Sequence, residues 1–283
     1  MKLSARELRL RAAEARRHYA RCDLCAHYCG VDRRHGPAGI CQEDDGLSLA
    51  GAGVHYGEEP QLVPSGLILI AGCNLSCQTC ETWQFSLERR GAVRTSPDQL
   101  AALLVDLERS GAANANFVTP THVLPVLLEG LAVAAEHGWS LPVVWNCGGY
   151  ESLEALRLLE GVVDVYLPDA KYGDDAAAYE LSGCKRYTAA LERSLREMHR
   201  QAEVIVRHLV LPGAVASPDK LMPLIAAVSP AICINVLSQY RPVYRAERFP
   251  VIARGVTAQE VSAAVEAARS AGLRNILVDG RPA

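Results

Sequence analysis

Three cysteines, Cys73, Cys77 and Cys80, stand within eight residues in the stretch Gly66 to Ser86, GLILIAGCNLSCQTCETWQFS. At the spacing C-x3-C-x2-C, three thiolates can converge on one face of an iron-sulfur cube. Such a cluster, or a closed structural zinc site, normally takes four Cys ligands. No fourth Cys lies nearby, which leaves one metal position open to a small molecule. The plainer alternatives are three reduced core cysteines or a partial zinc knuckle, and buried free Cys are common. Three at this spacing, directly after an apolar run and with more Cys upstream, weigh against both.

A second group, Cys22, Cys25, Cys29 and Cys41, runs C-x2-C-x3-C-x11-C. Gly30, Gly36, Pro37 and Gly39 allow a compact loop there. Four soft ligands suit either zinc in a tetrahedral S4 site or a second iron-sulfur cluster, and spacing alone does not choose between them. His27 and His35, lone histidines in a polar loop, read as solvent-facing. Of the remaining cysteines, Cys147 reads as a packed thiol on the rim of the site, and Cys184 and Cys233 as structural.

These clusters need a scaffold, and the rest of the chain supplies one. Its 283 residues are 49% hydrophobic with a net charge of -3, ample for a core and no reason to expect nucleic acid as a partner. The chain has no apolar run of about 18 residues, which excludes a helical membrane span. Ten cysteines and no apolar secretory stretch point to a reducing compartment, so a cytosolic, cytoplasmic protein is expected. Residues 1 to 21 read as a basic helix packed by one face, with Leu3, Leu8, Leu10 and Ala13 among its arginines. Residues 42 to 65 read as irregular, and the part holding His55, Glu58 and Glu59 could fold over a site entrance.

From Leu67 onward strand and helix signals alternate. Capping boxes at Ser96 to Gln99 and Thr257 to Glu260 open two of the helices. Six strands begin near Leu67, Asn116, Pro142, Val162, Glu203 and Ile232, with a last short one at Asn275 to Val278. The expected class is α/β, a partial (βα)6 TIM-like barrel over residues 66–283 behind a Cys-rich extension over residues 1–65. Ligands of such sheets bind at the carboxyl ends of strands. Polar residues gather there: Thr119 and Thr121, Asn146 before Gly148-Gly149, Asp169 and Lys171, Arg207 and His208, and Tyr240. Asp169 and Lys171 are two apart on extended chain and point to one side.

These stretches resemble the radical S-adenosylmethionine (SAM) enzymes. The likeness is to the branch of pyruvate formate-lyase activating enzyme and its uncharacterised iron-sulfur relatives. It runs through HYGEEPQL, the CNLxCxxC loop, FVTPTH, NCGGYES, VDVYLPDAKY, IVRHLVLPG and SQYRP. The resemblance implies that Cys73, Cys77 and Cys80 hold a catalytic 4Fe-4S cluster whose open iron binds SAM. Reductive cleavage would then give a 5'-deoxyadenosyl radical that abstracts hydrogen from a glycine of a partner protein, another peptide or a small molecule. It further implies Lys171 at the SAM carboxylate, Thr119 and Thr121 near its amino group, Asn146 near its ribose or a bound cation, Tyr240 near the adenine, and Arg207 and Asp169 as matching residues. A flavodoxin or ferredoxin is implied as one-electron donor. Departures are Ala71 for the first Ser of the loop pattern, Thr79 where an aromatic precedes the third Cys, Glu81-Thr82 after it, and Asn146 where the activases carry an acid. Trp83 or Phe85 could supply the missing aromatic. Transfer of the aminocarboxypropyl group of SAM, and a non-enzymatic iron-sulfur or zinc electron-transfer scaffold, are the competing readings.

Overall fold

The computed structural model describes residues 3–36, 39–57 and 59–283, so Pro37 and Glu58 lie outside the described residues. The fold is α/β with a mostly parallel sheet, consistent with a partial TIM-like barrel. Two compact units divide the chain. One comprises Met1–Asn74, Gln84–Cys147 and Glu151–Val165, and the other Leu75–Trp83, Gly148–Tyr150 and Tyr166–Ala283.

The first unit begins with α1 (Ala5–Arg17), opened by a capping box between Ser4 and Glu7. Its buried stripe is Leu8, Ala12 and Ala15, spaced four and three apart, while Leu10 and Ala13 face out. The arginines are not all free for an outside partner. Arg9 pairs with Glu136 at 2.6 Å and Arg16 with Glu129 at 2.7 Å.

Residues 48–55, expected to be irregular, form strand β1 (Ser48–His55). SLAGAGVH offers one β-branched residue, so propensity gives little sign of it. Antiparallel pairing with β2 (Ser65–Ile70), from Gly51 opposite Leu69 to His55 opposite Ser65, secures the strand instead. The Cys73 loop follows β2. After it come α2 (Trp83–Ser86), the two-residue β3 (Val93–Arg94) on the far side of β1, and α3 (Pro97–Arg109) with its capping box at Ser96. Parallel β4 (Asn114–Val118), α4 (Leu124–Glu136), β5 (Val143–Cys147) and α5 (Leu153–Leu158) complete the unit. α4 is apolar nearly all round because α1 and α3 both pack against it.

The second unit holds β6 (Val165–Pro168), whose first residue belongs to the other unit, then α6 (Asp175–Ser182), α7 (Tyr187–Gln201), β7 (Glu203–Leu209), α8 (Pro218–Val228), β8 (Cys233–Leu237), α9 (Ala258–Ser270), β9 (Asn275–Val278) and β10 (Arg281–Pro282). Strands β7, β8 and β9 are parallel neighbours, and β10 returns antiparallel on β9. The capping box predicted at Thr257 and Glu260 is formed. No helix among the described residues is long and apolar enough to cross a membrane.

Candidate metal and cofactor sites

Within the first unit, β2 ends at Ile70 and turns through Gly72 into Cys73. Gly72 has φ +82°, and a Cβ there would stand 2.9 Å from His122 Nε2 and 3.0 Å from the Cys41 carbonyl oxygen. Only glycine fits that turn. His122 pins the turn by donating from Nε2 to the Ala71 carbonyl at 2.9 Å. Burial, reinforced by the Arg33 charge, drops its pKa to about 3, so the ring is neutral.

Thr119 sits at the end of β4 with φ +57°, a left-handed conformation that a β-branched side chain rarely adopts. Its N–H donates to the Asn146 carbonyl at 2.8 Å, and its hydroxyl reaches the Gly72 carbonyl at 3.4 Å. Strain of this kind persists where surroundings over-determine it, commonly at ligand sites. Asn146 is buried within β5.

Thr121 is buried and its hydroxyl donates to Glu151, a residue that sequence reasoning passed over. Glu151 is 2% exposed. Burial pushes its pKa up to about 7, against donors Thr121, Cys147 and Asn74 that favour the anion. The only sequence signal was an acid directly after the NCGGY turn. In the unfolded chain this carboxyl titrates near ~4.3. Between those values the folded protein holds a proton that the unfolded chain lacks, so stability is greatest in acid and falls as pH rises toward neutrality, by roughly 3 kcal/mol. Glu151→Gln should flatten that slope in urea unfolding between pH 5 and 8; an unchanged slope would contradict the assignment.

The four N-terminal cysteines belong to the same unit and border one cavity there, without forming a preformed metal cage. Turns fold the segment back on itself: Cys22 N–H donates to the Val31 carbonyl at 2.9 Å, Gly30 N–H to the Cys22 carbonyl at 2.9 Å, and Tyr28 N–H to the Cys25 carbonyl at 3.0 Å. Cys25 also bridges to Glu151. Cys22, Cys25, Cys29 and Cys41 line one small cavity with Leu24, His27, Arg33, Ile40, Asn74 and His122. Burial raises the thiol pKa of Cys22, Cys25 and Cys41, so a metal would have to displace their protons. His27 does not face solvent as expected. It is half-buried, with Nε2 2.8 Å from the Asn74 carbonyl oxygen, whereas His35 is exposed beside Asp32.

In the second unit a ladder continues past β6. Asp169 bridges to Arg207, and Ala170 N–H donates to the Arg207 carbonyl at 2.8 Å. That register sets the Arg207 guanidinium on one oxygen of Asp169, with Nε and Nη2 both at 2.9 Å. Lys171 Nζ takes the other oxygen at 2.7 Å, the shared side that the i, i+2 spacing predicted. Burial alone would raise the Asp169 pKa, but Arg207 and Lys171 outweigh it and hold the carboxyl below its usual range. For Lys171, burial is likewise outweighed by Asp169 and Cys77, and its pKa lies well above the usual value.

Cys77 Sγ accepts from Ser182 Oγ at 3.1 Å, and Ser182 Oγ lies 2.8 Å from the Tyr172 hydroxyl. Burial raises the Cys80 thiol, with Cys77 adding to the rise and the Lys171 charge opposing it. Cys77, Cys80 and Lys171 thus lie within electrostatic reach of one another. Gly149, at φ +70°, lets the chain pass where a Cβ would meet the Asp169 carbonyl oxygen at 2.8 Å. Tyr187 ties the same turn, accepting from Lys171 N–H at 2.9 Å and donating to the Asp169 carbonyl at 3.1 Å. Tyr240 is buried, its hydroxyl donating to the Ile252 carbonyl at 2.7 Å. Trp83 stacks on Tyr244 at 5.3 Å. Ser182, Tyr172 and Tyr187 gave no chemical signal in the sequence.

Among the described residues, no three His, Cys, Asp or Glu side chains stand together as a preformed cage for one metal ion. As a donor set, three thiols within eight residues suit a cluster that leaves one position open, and a buried lysine lies within electrostatic reach of two of them, Cys77 and Cys80.

No family model matches the chain. The uncharacterised protein MJ0674 of Methanocaldococcus jannaschii is 33% identical over 275 residues, spanning 94% of this chain and 79% of that protein. Two solved structures are similar in part. SuiB of Streptococcus suis matches at 11% identity and a TM-score of 0.48, over 73% of this chain and 46% of its own, so the chain spans about half of it. Methylornithine synthase (PylB) matches at 12% identity and a TM-score of 0.49, over 100% of this chain and 84% of its own.

Proposed function

We propose that this chain, which belongs to the same family as MJ0674 of Methanocaldococcus jannaschii, is a radical SAM enzyme whose 4Fe-4S cluster is held by Cys73, Cys77 and Cys80. The observation that carries the reading is the grouping of the Lys171 cation with the Cys77 and Cys80 thiols. When bound, the cluster would supply the one-electron cleavage of SAM and the hydrogen abstraction that follows.

The chain's own residues would bind and orient the nucleotide. Lys171 is the cation for the SAM carboxylate, and its present partner makes the exchange possible. Asp169 keeps two hydrogen bonds from Arg207 when Lys171 turns away, so the carboxylate is not left unpaired. Thr119, held in its strained conformation, and Thr121, backed by Glu151, are assigned to the amino end of SAM. Asn146 is assigned to the ribose and the ring of Tyr240 to the adenine. A flavodoxin or ferredoxin would supply the electron, and the cleavage is of the glycyl-radical-activase type.

Anaerobic incubation of iron-reconstituted protein with dithionite and SAM tests this. Release of 5'-deoxyadenosine is expected. Methylthioadenosine in its place would mean aminocarboxypropyl transfer, and neither product would contradict the proposal.

A further inference from the structure

We infer that Cys22, Cys25, Cys29 and Cys41 hold a second iron-sulfur cluster that passes the electron on to the cluster of the Cys73 loop. The inference rests on the function proposed above and assigns a separate task to residues which that function leaves unused.

Charge is the first reason. Arg33, at 0% exposure, is fully buried against the cavity that the four thiols line. Its guanidinium donates to the carbonyl oxygens of Glu43, Asp44 and His122 and lies 4.4 Å from the Tyr19 ring centroid. None of these partners is an anion. Glu43 pairs with Arg89 at 2.7 Å and Asp44 with Arg94 at 2.5 Å, and the Arg33 charge also acts on Asp44. A cation this deeply buried is held best by further negative charge close to it. Four thiolates on a metal centre carry net negative charge, and Cys22 and Cys41 lie within electrostatic reach of Arg33. The same segment thus supplies both the ligands and the cation that balances them.

Charge alone would fit zinc equally well. Position favours a redox centre. Asn74 is part of the cavity wall, and its carbonyl oxygen is 2.8 Å from His27 Nε2. Asn74 is bonded directly to Cys73, and consecutive Cα atoms lie about 3.8 Å apart. A cluster in the cavity therefore abuts the very loop that it would reduce. Its other edge meets solvent: Cys29 is exposed, and so are the apolar side chains of Tyr28 and Ile40 beside it. One edge against Cys73 and one open to a docking protein is the layout of a relay, and a purely structural zinc site requires neither.

Electrons balance without a proton or a leaving group. An external flavodoxin-type or ferredoxin-type donor loses one electron, and the N-terminal cluster gains it. That cluster is reoxidised as the Cys73 cluster is reduced by one electron, which SAM then consumes.

Iron, zinc and sulfide content of the anaerobically reconstituted full chain is the first test. About eight irons with matching sulfide per chain are expected, falling by about half in the double variant Cys29→Ser, Cys41→Ser. About four irons and one zinc in the wild type would overturn the inference. The second test follows reduction of the remaining cluster in that variant by electron paramagnetic resonance. Reduction by reduced flavodoxin should slow about tenfold or more, while reduction by dithionite keeps its wild-type rate. An unchanged flavodoxin rate would overturn the relay. If the variant does not fold, the fully reduced wild type carries the test, since neighbouring reduced clusters give a spin-coupled spectrum and two independent signals would overturn the relay. Loss of the SAM response concerns only the Cys73 loop and leaves the iron count and donor rate to decide the relay.

Discussion

Cys80→Ala is expected to bring release of 5'-deoxyadenosine from SAM down to the level of a protein-free control. This exceeds the roughly 10–100-fold loss typical of residues that merely support a metal ligand. With three cysteines in the loop, removing one leaves two thiolates, too few to grip a cubane against loss of iron. Cys80 is a demanding case because burial and the neighbouring Cys77 hold its thiol protonated in the free protein. Metal binding has to release that proton, so the site depends on the iron for its charge state. Iron content measured alongside activity checks the cause. Loss of the product together with loss of about four irons is expected, and full turnover in the variant would contradict the ligand assignment.

Asp169→Ala should produce the largest change in stability, a loss of about 3–5 kcal/mol in urea unfolding. Arg207 and Lys171 are mostly buried, with 14% and 24% of their side-chain surface exposed, and both rest on this one carboxylate. Removing it leaves two cations side by side. The double variant Asp169→Ala, Lys171→Met removes one of them and should recover part of the loss. Equal stability of the single and double variants would mean that the two cations do not share Asp169 energetically.

Much of the fold was legible because its signals are local. The capping boxes at Ser96 and Thr257 need only residues three apart, and both are formed. The parallel strands of the barrel read directly from β-branched apolar runs such as EVIVRHLVL. β1 was missed because its strand character comes from its partner β2 and not from its own small residues. In the candidate site, Lys171 and Asp169 could be paired from spacing alone, and the structure brings Arg207 to the same carboxylate. Glu151 could not be found this way. Its significance lies in burial and in contacts with Thr121, Asn74 and Cys147, which no local pattern encodes. Arg33 carries no distinguishing signal in the sequence, and only the fold shows it enclosed beside the thiols. The left-handed backbone of Thr119 is equally invisible in sequence, since propensity argues against it.

The central claim, that Cys73, Cys77 and Cys80 hold a cluster with a position free for SAM, is tested most directly by titrating SAM into the reduced, iron-reconstituted protein and recording its electron paramagnetic resonance spectrum. A new set of g-values that grows in to one SAM per chain, and is absent in Lys171→Met at the same SAM concentration, is the predicted result. A spectrum that stays unchanged at saturating SAM in the wild-type protein would contradict the account.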